Sequence, residues 1–251
     1  MDVWDRYKHR MDIRGDTRRK AAFNREARFI ETKAPHSLSF HTAKLDGKVQ
    51  DLTIIDSDLY DTKVILSMPG DDIRYGAYVE WNGYTWLVVD KDVNTELRAR
   101  AKMRLCNYFL RWVDPDTGRI IERWVLIEDG TKYMTGEMGD SYFVMTRGDS
   151  RIAVYVPRDA DTAKLNRNSR FIVDDKLSQN KIVYRLTKPL TVGHSYTHEE
   201  DGTNGIFVFL FSEDQLTEFD NADEGVADYY RFHTTKTAED KLSRYGKEIN
   251  I

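Results

Sequence analysis

The sequence predicts a mostly β protein: antiparallel hairpins around a small barrel, an N-terminal helical or extended arm, one short internal helix and a small C-terminal β domain. Three observations lead to this fold class. Short segments rich in β-branched and aromatic residues recur along the chain, Asp-Gly and Asn-Gly turns separate several of them, and the first 35 residues differ by lacking this pattern. Short strands at such spacing are typical of barrels and sandwiches.

Residues 1–35 are predicted to form a basic arm. They contain ten lysines or arginines and six acidic residues, a net charge of +4. A helix is predicted from Asp16, a possible N-cap, because Phe23, Ala27 and Ile30 recur at helical spacing on one face. The helix macrodipole disfavours the cations that would lie in its first turn. Either the helix therefore begins later, or these charges serve a contact outside it.

Two tight hairpins are predicted after the arm. Their turns are Asp46-Gly47 and Asn82-Gly83, dipeptides that tolerate the positive φ angles of a two-residue connection. The four strands that these turns join are predicted at residues 41–45, 48–55, 77–81 and 84–89.

A third hairpin is predicted around the turn-forming run Asp-Pro-Asp-Thr-Gly at residues 114–118, with strands at 107–112 and 119–127. Further strands are predicted at residues 142–145, 152–156, 170–173, 182–186 and 206–211. Residues 95–105 are rich in helix formers, which predicts either the internal helix or a tightly wound strand entry.

The chain is predicted to have three parts. Residues 1–35 are the arm, residues 36–190 are the main β domain with the small barrel, and residues 191–251 are an acidic C-terminal β unit with a polar tail. The last boundary rests on a change of composition, because residues 199–228 contain ten acidic residues and no lysine or arginine.

Composition excludes several classes of protein. A chain of 251 residues with a net charge of −4 and 40% hydrophobic residues is typical of a globular protein with a sizeable core. Its single cysteine cannot form an intramolecular disulfide, and a reducing compartment fits best. No apolar run has the length of a membrane span, and the N-terminus has no apolar core of a secretory signal, so we expect no membrane contact.

The residue patterns indicate neither catalysis nor a cofactor. His194 and His198 have a spacing that could bind zinc on a helix, but their surroundings predict a polar loop. The acidic run at 114–118 lacks the later ligands of a calcium loop. Arg-Gly-Asp at 147–149 is interpreted as a strand connector, and Cys106 as a small buried residue in a strand. We therefore predict a protein that is not an enzyme and has no metal or cofactor.

The separation of charge is the more informative feature, because it favours a head-to-tail contact in which the arm of one subunit lies on its neighbour and closes a ring. The candidate DNA or subunit contacts in the arm are Arg14, Arg18, Arg19, Lys20, Arg25 and Arg28. The candidate acidic interface comprises Glu213, Asp214, Glu218, Asp220, Asp223 and Glu224.

Two alternatives remain open for these charges. They could be independently solvated surfaces, or the arm could bind DNA phosphates. In a nucleic-acid-binding module, Trp81 and Trp86 would stack bases, although aromatic residues on neighbouring strands more commonly pack across the sheet.

Several blocks of the sequence resemble those of tailed-bacteriophage neck proteins, the group of head–tail connectors and head-closure (stopper) proteins. The blocks are HSLSFHTAKLDGK, YGAYVEWNGYTWLVVD, LCNYFLRWVDPDTGRII, NRNSRFIVDD with KIVYRLTKPL, and NGIFVFLFSEDQ with GVADYY. They cover most of residues 36–230, and their order carries the resemblance. This chain is longer than simple stoppers and has an additional acidic C-terminal unit, which leaves its level in the neck open.

The resemblance implies a structural role in the virion, at the head–tail junction, for a protein made in the cytoplasm of the bacterial host. The expected partners are other copies in a ring, a portal or adaptor protein above, tail proteins below, and packaged DNA in the lumen. The ring would act as a head-completion (stopper) protein or as an adaptor. In either role it would join the portal to the tail and help to retain packaged DNA. A tail or baseplate protein on the same scaffold is a further alternative.

Overall fold

The structure is a computed structural model that describes residues 2–15, 17–92, 96–129, 151–174, 181–190 and 204–233. The chain divides into two compact units, Met1–Leu105 and Cys106–Ile251. Both are built mainly from antiparallel strands, so the predicted mostly β fold is confirmed.

Two helices form the arm. Helix α1 spans Val3–Arg14 and helix α2 spans Arg18–Lys33. The N-cap of α2 is Thr17, whose hydroxyl accepts a hydrogen bond from the Lys20 amide at 3.2 Å, instead of the predicted Asp16, which lies outside the described residues. The cations that follow Thr17 therefore do lie in the first turn of the helix.

The rest of the first unit is a closed six-stranded barrel. Its strands are β1 (Phe40–Leu45), β2 (Lys48–Asp56), β3 (Thr62–Ser67), β4 (Tyr78–Trp81), β5 (Tyr84–Asp92) and β6 (Arg100–Leu105). They pair in the order β1-β2-β3-β6-β5-β4, and β4 returns to β1. The fully buried Leu52, Ile65, Leu87 and Met103 contribute to its core. A barrel of this kind leaves no open sheet edge.

The two predicted tight hairpins are confirmed. Asp46 and Gly47 have φ angles of 47° and 79°, and Asn82 and Gly83 have 52° and 79°, as a two-residue turn of type I′ requires. The Asp46 carboxylate also accepts a hydrogen bond from the Tyr78 amide at 2.9 Å. The first turn thereby helps to hold β4 against β1, where the barrel closes.

Of the two structures predicted for residues 95–105, the helix is wrong and the strand agrees, because Arg100–Leu105 form strand β6 between β3 and β5. Ala101 and Met103 are buried while Arg100 and Lys102 are exposed, the alternation of a strand with one face in a core. Burial against both neighbours outweighs the helix propensity of these residues. Strand β3 was not predicted, although its sequence, TKVILS, has the β-branched content of a strand.

The second unit contains a six-stranded antiparallel sheet. Its strands are β7 (Tyr108–Val113), β8 (Ile120–Asp129), β9 (Arg151–Pro157), β10 (Arg170–Asp174), β11 (Lys181–Leu190) and β12 (Ile206–Asp214), in the order β10-β11-β12-β9-β8-β7. The predicted hairpin at residues 107–127 and the strands predicted near 152, 170, 182 and 206 are therefore confirmed. The strand predicted at 142–145 lies outside the described residues.

A tyrosine side chain hydrogen-bonds the two outer strands of this sheet to each other. The Tyr108 hydroxyl on β7 accepts a hydrogen bond from the Asp174 amide at 2.9 Å and donates one to the Ile172 carbonyl at 3.4 Å, both on β10. Beneath them, the Phe171 and Phe211 rings stack with centroids 4.8 Å apart. The sheet thus curves around an aromatic core.

The predicted domain boundaries differ from the observed units. Strand β12 lies between β9 and β11, so residues 206–214 belong to the same sheet as residues 181–190 and do not begin a separate C-terminal β domain. The main boundary falls at residue 105 instead of 190. The composition of the chain changes at residue 190. Strand pairing decides the units, however, and the pairing of β11 with β12 joins residues on both sides of that position.

The φ angle of Gly83 gives a test of the second hairpin. A Cβ at Gly83 would meet no atom within 4 Å, so only the backbone conformation opposes a side chain. We expect Gly83→Val to lower the free energy of unfolding in urea by about 1–2 kcal/mol, because β-branched residues are strained at positive φ. Gly83→Asn, which tolerates this region, should cost much less, and equal losses in the two variants would contradict the assignment.

Candidate subunit interface

None of the residues of helix α2 is buried. Its less exposed side consists of Ala21, Asn24, Ala27 and Ile30, which are half-buried. Stability of a protein helix comes mostly from packing of an apolar face, and a helix of this length is marginal on its own. Helix α2 therefore lacks the burial that normally stabilises a helix.

Large apolar side chains of the arm are exposed. The exposed fractions are 68% for Trp4, 54% for Tyr7 and 59% for Phe29. Trp4 and Tyr7 contact each other edge to face, with centroids 5.9 Å apart. Aromatic residues are enriched at protein interfaces and are uncommon on surfaces that stay in water.

The basic residues of the arm that were predicted as contacts differ in their partners within the chain. Arg18 and Arg25 are exposed, and Arg25 lies 3.6 Å from Glu26. Arg19 donates to the Glu96 carboxylate at 2.6 Å, and this hydrogen bond and the attraction between the charges raise the pKa of Arg19. Arg19 is thus engaged within its own unit.

The three remaining basic candidates also lie on the arm. Lys20 and Arg28 are exposed residues of α2, and the Arg28 carbonyl accepts the Thr32 hydroxyl at 2.8 Å. Arg14 ends α1, and its side chain lies outside the described part of the structure.

The predicted acidic interface is divided by a buried ion cluster. Asp214 and Asp220 pair with Arg170 at 2.9 and 2.8 Å, and Asp228 pairs with it at 3.0 Å. The side chain of Asp220 is fully buried and that of Arg170 is 7% exposed. Asp214 and Asp220 are therefore engaged inside their own unit by Arg170.

All three nitrogens of the Arg170 guanidinium donate hydrogen bonds. Besides the carboxylates, they reach the Gln215 carbonyl at 2.6 Å and the Thr217 hydroxyl at 3.2 Å. Burial alone would lower the pKa of Arg170, but the hydrogen bonds to Asp220 and Asp214 raise it above its ordinary value. The first residue of β10 thereby fixes residues 214–228 to the sheet.

The sequence did not identify Arg170 as a functional or structural residue. Its partners follow it by 44 to 58 positions, and no spacing rule connects them. The one available signal was the excess of acid in residues 199–228, which requires cations from elsewhere in the chain or from a partner.

The remaining acidic candidates stay on the surface. Glu213, Glu218, Asp223 and Glu224 are exposed, and Asp223 lies 3.8 Å from Lys181. Among them lie two exposed apolar residues of the loop that follows β12, Leu216 at 54% and Phe219 at 44%. This loop combines negative charge with apolar surface on a segment that Arg170 holds in place.

Of the two tryptophans considered for base stacking, Trp86 is buried and Trp81 is half-buried. Trp86 is 5% exposed, and its ring packs 5.9 Å from that of Trp81, which in turn lies 5.2 Å from His41. A buried indole cannot stack on a nucleobase. Packing across the strands, the other interpretation, agrees with these contacts.

Cys106 and Asp114, two further residues considered from the sequence, lie where they contribute to packing or to a turn. Cys106 follows β6 instead of lying in a strand, and burial raises the pKa of its thiol to about 12, which keeps it protonated at neutral pH. Asp114 at the third hairpin accepts a hydrogen bond from Thr117 at 2.6 Å and pairs with Lys164 at 3.1 Å. The histidine pair and the Arg-Gly-Asp sequence lie outside the described residues.

Comparisons of the chain with protein-family models, with curated proteins and with solved structures find no match. Within the described ranges, no group of three or more His, Cys, Asp or Glu side chains could hold a metal ion. In the same part of the chain, no helix has both the length and the apolar character of a membrane span.

The ion cluster predicts a large difference between two arginines that share Asp214. Arg170→Met should lower the free energy of unfolding by about 3–5 kcal/mol, because it leaves buried carboxylates without their cation. Arg185→Met is the matched control: Arg185 bonds Asp214 at 2.8 Å, but its side chain is 51% exposed, so we expect a loss of about 0–1 kcal/mol. Urea unfolding measures both, and similar losses would contradict the central role of Arg170.

The same cluster predicts a loss of stability in acid. Burial opposes ionisation of Asp220, but hydrogen bonds from the Asp228 and Thr217 amides and from Arg170 lower its pKa below the ordinary value. Stability from a depressed pKa is complete above the unfolded value of about 4 and is lost as the pH falls through the folded value. The free energy of unfolding should therefore decline below pH 4, and less steeply in Asp220→Asn. If stability falls with pH equally steeply in Asp220→Asn, the ionisation of Asp220 is not the source of the loss.

Proposed function

We propose that this chain is a structural virion protein of a tailed bacteriophage, which forms a ring in the neck between the portal and the tail and helps to retain packaged DNA. The observation that carries the proposal is the arm, which contains a helix without a buried residue and displays Trp4, Tyr7 and Phe29. Exposed apolar surface of this kind marks an interaction site.

The body of the protein supports a mechanical role. The barrel is closed, and Cys106, the only cysteine, is buried with a raised pKa that makes it unreactive. A ring built from such bodies works through repeated contacts of modest strength, which together hold the assembly by multivalency. The net charge of −4 favours a lumen along which the DNA backbone slides without tight binding.

The nucleic-acid-binding alternative is weaker. It required Trp86 to stack on bases, and that ring is buried. The arm alone would then have to bind phosphates, and such binding would fall steeply as salt is added.

Native mass spectrometry tests the proposal. The purified chain, measured across a range of concentrations and with the portal protein of its phage, should form a closed ring of one defined stoichiometry. A monomer that ignores both portal and tail proteins would refute the proposal.

Alanine variants at Arg18, Arg19 and Lys20 separate the two functions. We expect them to weaken assembly. Loss of DNA affinity with unchanged assembly would instead favour the nucleic-acid-binding module.

A further inference from the structure

One face of helix α2 carries both positive charge and apolar surface. Arg18, Ala22, Arg25 and Phe29 recur at intervals of three and four residues, so they form a single stripe about 16 Å long. All four are exposed, and the stripe lies opposite the half-buried side of the helix. We call this set the arm stripe. Among the residues that the structure describes, this helix face is exposed along its whole length.

The loop after β12 has the complementary character. Leu216, Glu218, Phe219, Asp223 and Glu224 are exposed, so apolar and acidic side chains alternate over a short stretch. We call this set the acidic platform. The platform is also fixed before any partner arrives, because Arg170 bonds residues on both sides of it and within it, at Asp214, Asp220 and Asp228. Such preorganisation lowers the entropy lost on binding.

We infer that the arm stripe of one copy of this chain docks on the acidic platform of a second copy. The inference rests on the proposed ring function and names the contact that would build the ring. Arg18 and Arg25 would pair with Glu218 and Glu224, while the Phe29 ring would cover apolar surface of the platform. The two surfaces differ, so the contact is heterologous and repeats from subunit to subunit until the ring closes.

The side chains of the arm stripe favour a second copy of the chain over DNA as the binding partner. A face that binds phosphates needs only cations. Ala22 and Phe29 lie in line with the two arginines, and contact with the charged backbone of DNA would bury no apolar surface against them. The platform offers both carboxylates and exposed apolar rings or chains. Charge and apolar surface thus match on the two sides.

Charge reversal tests the contact in the full chain. Arg18→Glu with Arg25→Glu should weaken self-association by about tenfold or more, as should Glu218→Lys with Glu224→Lys. The four substitutions together should restore association, because the pairs are re-formed with opposite sign. Sedimentation across a range of concentrations and salt, alone and with portal protein, measures each variant.

The variants are chosen to preserve the fold. Glu at position 18 lies in the first turn of α2, where the macrodipole favours an acid, and circular dichroism should show the helix unchanged. Lys48→Glu with Lys102→Glu is the matched control, because it makes the same change of charge at two exposed strand residues of the barrel. We expect this control to associate as the unaltered chain does.

The possible outcomes separate the inference from the proposed function. If the unaltered chain forms rings and either reversal leaves them intact, or the fourfold variant fails to recover, the inference is overturned and the ring function stands. If the reversals abolish binding to duplex DNA but not association, the stripe is a DNA contact and the inference is again overturned. If the unaltered chain remains a monomer even with portal, both proposals fail.

Discussion

The guanidinium of Arg170 is the constraint on which the surface of the second unit depends. It lies at the start of β10 and bonds three aspartates and a backbone carbonyl from a segment that would otherwise follow β12 as an acidic loop. A buried ion cluster of this kind adds little net stability compared with an apolar core, but it is costly to break, because each charge left alone is poorly solvated. Its effect is to give residues 214–228 one conformation. That conformation leaves some carboxylates inside and presents others, together with Leu216 and Phe219, to solvent.

The first unit shows the opposite arrangement. The barrel closes on itself and satisfies its own strand edges, while helix α2 of the arm buries no residue. A fixed acidic surface and an under-packed basic helix on the same chain are what a protein needs if its contacts are completed by other copies. The proposed contact between arm stripe and acidic platform rests on this imbalance.

Much of the fold was predictable because its signals are local. Asp-Gly and Asn-Gly specify positive φ at two successive residues, and these turns fix the register of the strands on both sides. Residues 95–105 were left open between a helix and a strand entry for the opposite reason. Arg100–Leu105 contains good helix formers, and only the pairing with β3 and β5 makes the extended conformation more favourable.

The sequence by itself determined the hairpins, the apolar spacing of the second arm helix, and the separation of positive charge at the beginning of the chain from negative charge near its end. Tertiary structure alone decided which of those charges remain available: Asp214 and Asp220 pair with Arg170, Arg19 pairs with Glu96, and Glu218 and Glu224 stay in solvent. Turns and helices depend on residues a few positions apart, whereas ion pairs and burial depend on contacts between residues distant in the chain. Such contacts exist only once the strands have paired.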